Sequence, residues 1–356
     1  MKQTFKKLSW LLGAFALLQT ATTPAQAEDK PTEIRIAFSS AGSAGRPLAG
    51  GSSLATAHLR GALEEEFKKD NIKIKWYFNV GAGPATNEQF ANGLIDFASQ
   101  GDLPLVVGRS TGLRHKLILA QGRFGENTLV VPANSEAKSI QDLKGKKIAV
   151  NKGTSGQLTL NRFLEKNGLT EKDFRLVSLD TATTKAALAT GDVDGALITP
   201  YDLISRGIAK IIWKSDRDPK LTSVSNFWVG EEFEQKYPDT VQRVVNVVVK
   251  EAKFASDEAN RTWLLKNWSR QGVTTFLDYE QSWKAYKLKE RISPLLDEYY
   301  VASIQKSINE VKHFKLSRRE ADINGWIEPK YLNAALKEQK LEHYWPEFDK
   351  DGNEKK

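Results

Sequence analysis

The sequence predicts an α/β chain of two similar lobes, joined by two crossover segments and finished by a helical C-terminal region. Three observations predict it. Strand-like and helix-like segments alternate through most of the chain, the pattern of sheets covered by helices. A helix–turn–strand unit occurs twice: FANGLIDFA (90–98) and LATGDVDGA (188–196) match Ala91 with Ala189, Gly93 with Gly191, Asp96 with Asp194 and Ala98 with Ala196. The 356 residues are enough for two lobes that each bury a core.

Residues 1–27 stand apart from this plan. Lys2, Lys6 and Lys7 precede the apolar run LSWLLGAFALL, and Ala25-Gln26-Ala27 offers a small-residue cleavage site. That order is a secretory signal peptide, and its apolar run is short for a bilayer span. The mature chain is expected to begin near Glu28, with lobe 1 opening over 28–126, lobe 2 over 127–226, and a return to lobe 1 with C-terminal helices over 227–356.

In lobe 1, IRIAF (34–38) reads as a strand running into SSAGSAGRPLAGGSS, a loop dense in glycine and serine. Leu54, Leu59, Leu63 and Phe67 share one side of a helix over 54–69, and IKIKWYF (72–78) alternates like a strand. VGAGPATNEQFANGLIDFASQGDLP (80–104) then supplies a turn, a helix over 84–93, a strand and a second turn before a helix from Leu103. Lobe 2 repeats the plan. KIAV (147–150) is a strand, NKGTSGQ a glycine turn opening a helix through Asn167, and TTKAALATGDVDGALIT a helix, turn and strand. NTLVVPA (127–133) and SVSNFWVG (223–230) flank lobe 2 and are the expected crossings. The sheets are expected to be largely parallel.

From Glu231 onward the pattern is helical. Val241, Val244, Val245, Val248 and Phe254 recur at helical spacing, and Trp263, Trp268 and Trp283 are expected to pack. The tail DKDGNEKK looks like the start of a calcium loop but ends before a twelfth-position carboxylate, so it is expected to be disordered.

Composition narrows the function. Lys plus Arg number 52 against 44 acids, a net charge of +8 that falls to +5 once the leader's three lysines are gone. The charges are interspersed, which argues against nucleic acid as a partner. Cysteine is absent, which removes disulfides, thiol nucleophiles and thiolate metal sites. The sole methionine is Met1, so the mature chain carries no sulfur atom, where ordinary usage would give on the order of ten. Oxidation would select against stray thiols and thioethers. Economy under sulfur scarcity accounts better for the loss of every one. His58, His115, His313 and His343 are scattered and stand in no metal or nucleophile motif. No catalytic residue, cofactor or metal is expected.

Ligands of open α/β sheets sit beyond the carboxyl ends of the strands. The loops there are Ser39–Arg46, Gly81–Pro84, Gly101–Leu103, Gly153–Gly156 and Thr199–Tyr201. Most lead into a helix whose first amides and partial positive charge suit an anion. The candidate ligand residues are Ser39, Ser40, Gly42, Ser43, Arg46, Gly83, Gly101, Asp102, Thr154, Ser155, Thr199, Tyr201 and Trp228. Arg46 is a candidate oxyanion clamp and Trp228 a candidate cover for an aliphatic chain. Each has a structural alternative: Asp102, Thr154 and Ser155 are good helix caps, and Trp228 suits packing.

With these stretches, SIQDLKGKKIAVNKGTSGQ (139–157) and FEQKYPDTVQRVV (233–245), the sequence resembles the periplasmic solute-binding proteins of ABC importers. It is most similar to the branch that binds alkanesulfonates, taurine, sulfate esters and nitrate. The resemblance implies a type II periplasmic binding protein fold, closure of two lobes over a small solute, and delivery to an inner-membrane permease. The expectation is a monomeric periplasmic receptor for an organosulfur anion, sulfonate or sulfate ester. The alternatives are the same receptor for nitrate, a carboxylate or a vitamin precursor, and an exported enzyme resembling thiamin-pyrimidine synthases, whose cysteine-bearing motif this chain lacks. Effector lobes of some transcriptional regulators share the fold, but carry a DNA-binding helix-turn-helix where this chain has its leader.

Overall fold

The computed structural model describes residues 30–40 and 48–356. The expected signal peptide and the candidates Gly42, Ser43 and Arg46 lie outside the described residues. Among those described, the strands in chain order are β1 (Glu33–Phe38), β2 (Lys73–Phe78), β3 (Phe97–Gly101), β4 (His115–Gly125), β5 (Thr128–Pro132), β6 (Lys147–Ala149), β7 (Arg175–Val177), β8 (Gly195–Leu197), β9 (Ala209–Lys214) and β10 (Ser223–Gly230). They form two five-stranded sheets, ordered β2-β1-β3-β10-β4 and β7-β6-β8-β5-β9.

Each sheet is mixed rather than largely parallel. β1 runs parallel to β2 and β3, and β6 parallel to β7 and β8, but β10 is antiparallel to both its neighbours and so is β5. The reversed strand is in each case the one that arrives from the other lobe. It enters beside its sheet after a short connection, with no helix to turn it parallel. The chain passes from lobe 1 at 126–127 and returns over 215–222, so the two segments flanking lobe 2 are sheet strands adjoining the crossings.

The sequence repeat has a structural counterpart. A carboxylate oxygen of Asp96 accepts the amide of Arg35 in β1 at 2.8 Å, and one of Asp194 accepts the amide of Lys147 in β6, also at 2.8 Å. The same two aspartates donate their own amides back to those residues' carbonyls. Gly93 (φ +67°) and Gly191 (φ +77°) end the preceding helices in the left-handed conformation that glycine adopts at least cost.

Lobe 1 has the larger core. Val241, Val244, Val245 and Val248 of the helix Pro238–Ala255 are fully buried, and their spacing gives one apolar stripe that joins the lobe 1 core beside the helices Ser53–Arg60 and Lys330–Glu338. Trp268 and Trp283 pack in the same cluster, whereas Trp263 stays 40% exposed. Lobe 2 closes on smaller clusters around Leu129, Ile148 and Leu160, and around Val130 and Ala196. The C-terminal tail is ordered, contrary to expectation. Phe348 is buried and pairs with Glu354, an Asp349 carboxylate oxygen accepts the amides of Asp351 and Asn353, and Lys355 bonds Glu298. The polar run thus closes on itself over one apolar anchor.

Candidate ligand cleft

The lobes meet where the helix Ser155–Lys166 of lobe 2 aims its first turn at Gly101, the end of β3. A Cβ on Gly101 would lie 2.0 Å from Ser155 Oγ, and one on Gly153 would lie 2.7 Å from Pro84 Cγ. Bare glycine backbone on each side lets the lobes approach this closely. Farther along the same helix, Arg162 crosses to lobe 1, where its guanidinium bonds Glu310 at 2.7 Å, Ser307 at 3.2 Å and Asp102 at 3.4 Å. Burial opposes the charge of Arg162, but Asp102 and Glu310 more than offset it, and its proton affinity rises. On the other side Lys185 of lobe 2 reaches Asp278 at 2.7 Å, Asp202 at 2.6 Å and the Val273 carbonyl at 3.0 Å. Asp278 is fully buried and caps the helix Phe276–Trp283 through Thr275.

Two adjoining pockets, which share Gly51, Trp283 and Arg291 in their walls, form the two arms of a cavity. The first, about 130 Å³, has a floor of paired small residues: Gly122 faces Ser225 and Gly125 faces Ser223 across the β4–β10 ladder. Gly101 and Ser155 form its wall. Ser155 Oγ is buried with no hydrogen-bond partner among the described residues. The amides of Ser155 and Gly156 open a twelve-residue helix, so no intrahelical carbonyl can reach them. Exposed glycine backbone, serine hydroxyls and a helix N-terminus suit an oxyanion. The second arm, about 240 Å³, adds Gly50, Glu126, Thr199, Thr274, Tyr279 and Ser282.

Arg291, Trp283 and Gly51 line both arms. The Arg291 guanidinium lies 4.2 Å over the Trp283 ring and 5.0 Å from the Tyr286 ring, and donates to the Ser282 carbonyl at 3.3 Å. It makes no salt bridge among the described residues. Lost hydration holds its proton affinity below the usual guanidinium range. A cation held by rings and one carbonyl keeps donors available for an incoming anion.

Of the sequence candidates, Gly101, Ser155 and Thr199 line this cavity. Tyr201 stands behind it, donating its hydroxyl to Glu126 at 3.1 Å. Ser39 faces Thr86 at 2.9 Å, and Ser40 is half-buried beside it in the chain. Thr154 bonds the Asn151 carbonyl. Gly83 belongs to packing, since a Cβ there would meet Pro104 at 2.2 Å. Asp102 is turned into the Arg162 network, and its carboxylate already faces the first turn of its own helix, leaving no call for a second anion there. Trp228 does not cover the cleft. It is fully buried in lobe 1, stacked on His115 with ring centroids 4.8 Å apart, and donates its indole N–H to Gln100 at 2.6 Å.

The residues that sequence reasoning missed are Gly50, Gly51, Gly122, Gly125, Ser223, Ser225, Glu126 and the C-terminal set Tyr279, Ser282, Trp283 and Arg291. Glycines inside the strand QGRFG signal close backbone approach. Nothing local marks Arg291, which ends a four-residue helix, Leu288–Arg291.

A family model described as NMT1/THI5 like matches residues 66–261. A Bacillus subtilis (strain 168) chain named as a candidate aliphatic sulfonates-binding protein is 27% identical over 296 residues, 81% of this chain and 86% of the relative. A crystal structure from Methylobacillus flagellatus KT, named as a candidate periplasmic sulfonate-binding protein SsuA of a sulfonate ABC transporter, superimposes with a TM-score of 0.76 at 31% identity. It covers 89% of this chain and 97% of that one. The desulfurization enzyme DSZB shares the fold at 16% identity, with a TM-score of 0.64 over 87% of this chain and all of that one.

Proposed function

The chain belongs to the NMT1/THI5-like family, and from that premise we propose that it is the periplasmic solute receptor of an ABC importer, binding an organosulfur anion. It holds a sulfonate or sulfate ester without covalent chemistry, as an exported monomer, and hands it to an inner-membrane permease. The observation that carries this reading is Arg291, a cation with no salt bridge among the described residues, lining an arm walled by Gly101, Ser155, Gly122 and Gly125. The sulfur-free composition of the mature chain and the names of its relatives point to the same ligand class. Nitrate would fit the first arm but leave the second, of about 240 Å³, unfilled. An enzyme of this fold that works through a thiolate has no residue for it here, because the sequence contains no cysteine.

Isothermal titration with propane-1-sulfonate and a short alkyl sulfate ester is expected to give saturable one-to-one binding, with the compound recovered unchanged. Arg291→Met should weaken that binding about a hundredfold, the value of charge-assisted hydrogen bonds to a buried anion. Binding of nitrate with silence toward every sulfonate and sulfate ester would overturn the ligand class. Turnover of the bound compound would overturn the receptor role.

A further inference from the structure

The second arm of the cavity indicates what the far end of the solute carries. A water molecule needs about 10–15 Å³ of space on the same measure, so 240 Å³ accommodates a tail and not just an oxyanion. An alkyl tail calls for apolar walls. Beside Tyr279 and Trp283, this arm presents mostly polar groups: the Glu126 carboxylate, the hydroxyls of Thr199 and Thr274, Ser282 (whose hydroxyl already donates to the Asp278 carbonyl at 2.6 Å), and glycine backbone. Neither Thr199 nor Thr274 has a side-chain hydrogen bond among the described residues. Glu126 is 7% exposed at its side chain, and keeps acceptor capacity beyond the Tyr201 hydroxyl at 3.1 Å and Lys214 at 3.5 Å.

The charges decide between two kinds of donor. Arg291 is matched once the solute's anionic group is bound. Glu126 is already matched by Lys214, which also faces the Tyr201 ring at 5.7 Å. An ammonium on the tail would add an unmatched positive charge beside Lys214. A hydroxyl donates to Glu126 and accepts from the threonines without altering the balance. Resting on the receptor reading above, we propose that this arm is a subsite for a hydroxylated tail. The solute is then an organosulfur anion whose carbon chain carries hydroxyl groups, and Glu126 and Thr199 determine that preference. An alkyl tail of equal length would bury those polar groups unpartnered, at a cost that corresponds to about ten- to a hundredfold in affinity.

Three sulfonates of equal chain length test this: propane-1-sulfonate, 2,3-dihydroxypropane-1-sulfonate and 3-aminopropane-1-sulfonate, titrated into wild type, Glu126→Gln and Thr199→Val. The dihydroxy compound is expected to bind wild type at least about tenfold more tightly than either other. Each variant should shrink that ratio severalfold, and a melting temperature of the ligand-free variant close to wild type serves as the check on folding. Equal binding of the plain and dihydroxy compounds, a preference for the amine, or a ratio unmoved by both variants overturns the subsite and leaves the receptor reading standing. Silence toward all three by a folded wild type overturns the receptor reading and the subsite with it.

Discussion

Arg291 and His115 show how differently two basic side chains with few partners behave in one fold. Arg291 sits at a cavity, keeps its charge and has donors to offer. His115 is fully buried, accepts the Trp326 indole N–H on Nδ1 at 3.1 Å, and has no partner for Nε2 among the described residues. Burial, with Arg109 adding to it, pushes the His115 pKa down to about 3, so the folded protein keeps the ring neutral. The unfolded chain protonates near pH 6.5, so this contribution to stability is fully present above that pH and is lost as pH falls toward 3. By pH 4 the loss should amount to about 3 kcal/mol. His115→Gln, which can still accept from Trp326, should flatten that part of the acid limb in urea titrations at pH 4–7. An unchanged slope would show that other groups govern it.

At the scale of elements, the helix Phe276–Trp283 joins the cavity wall to the contact between the lobes. It presents Tyr279, Ser282 and Trp283 to the cavity, while Asp278 in its first turn holds Lys185 of lobe 2. Asp278 also accepts the Asp202 amide at 3.2 Å, so one buried carboxylate caps the helix and ties it to the opposite lobe. Lys185→Met leaves the cap and the Asp202 amide contact intact and removes the ion pair between the lobes. Breaking a buried pair of this kind costs on the order of 3 kcal/mol, so stopped-flow release of a bound sulfonate should quicken by about a hundredfold. Association should change little, since affinity changes of this kind fall mostly on the release rate. Release at the wild-type rate would mean that the bridge does not hold the closed form.

At the scale of the molecule, the close approach of the lobes depends on two glycines, Gly101 and Gly153, that leave room for the opposing side. Gly101 has an ordinary φ of −76°, so alanine there is unstrained until Ser155 arrives. Gly101→Ala should leave the melting temperature of the ligand-free protein near wild type, yet weaken solute binding about ten- to a hundredfold through overpacking of the seam. Adding Ser155→Gly removes the opposing side chain and should recover part of the loss. Equal binding by wild type and Gly101→Ala would show that the lobes never seat this closely.

The sequence by itself determined the architecture, because alternation, capping glycines and the repeated Asp96 and Asp194 are local signals read within a few residues. It also located three wall residues, Gly101, Ser155 and Thr199, because strand ends and helix starts are local too. Only the tertiary structure decided which turns face the cavity. Trp228 went to the core because His115 and Gln100 satisfy it there, and Asp102 turned to Arg162 on the opposite lobe. Arg291 reached the cleft from far along the chain because Trp283, Tyr286 and the Ser282 carbonyl hold it there. Contacts of that kind are fixed by how the return segment packs against lobe 1, and no periodicity in the sequence encodes them.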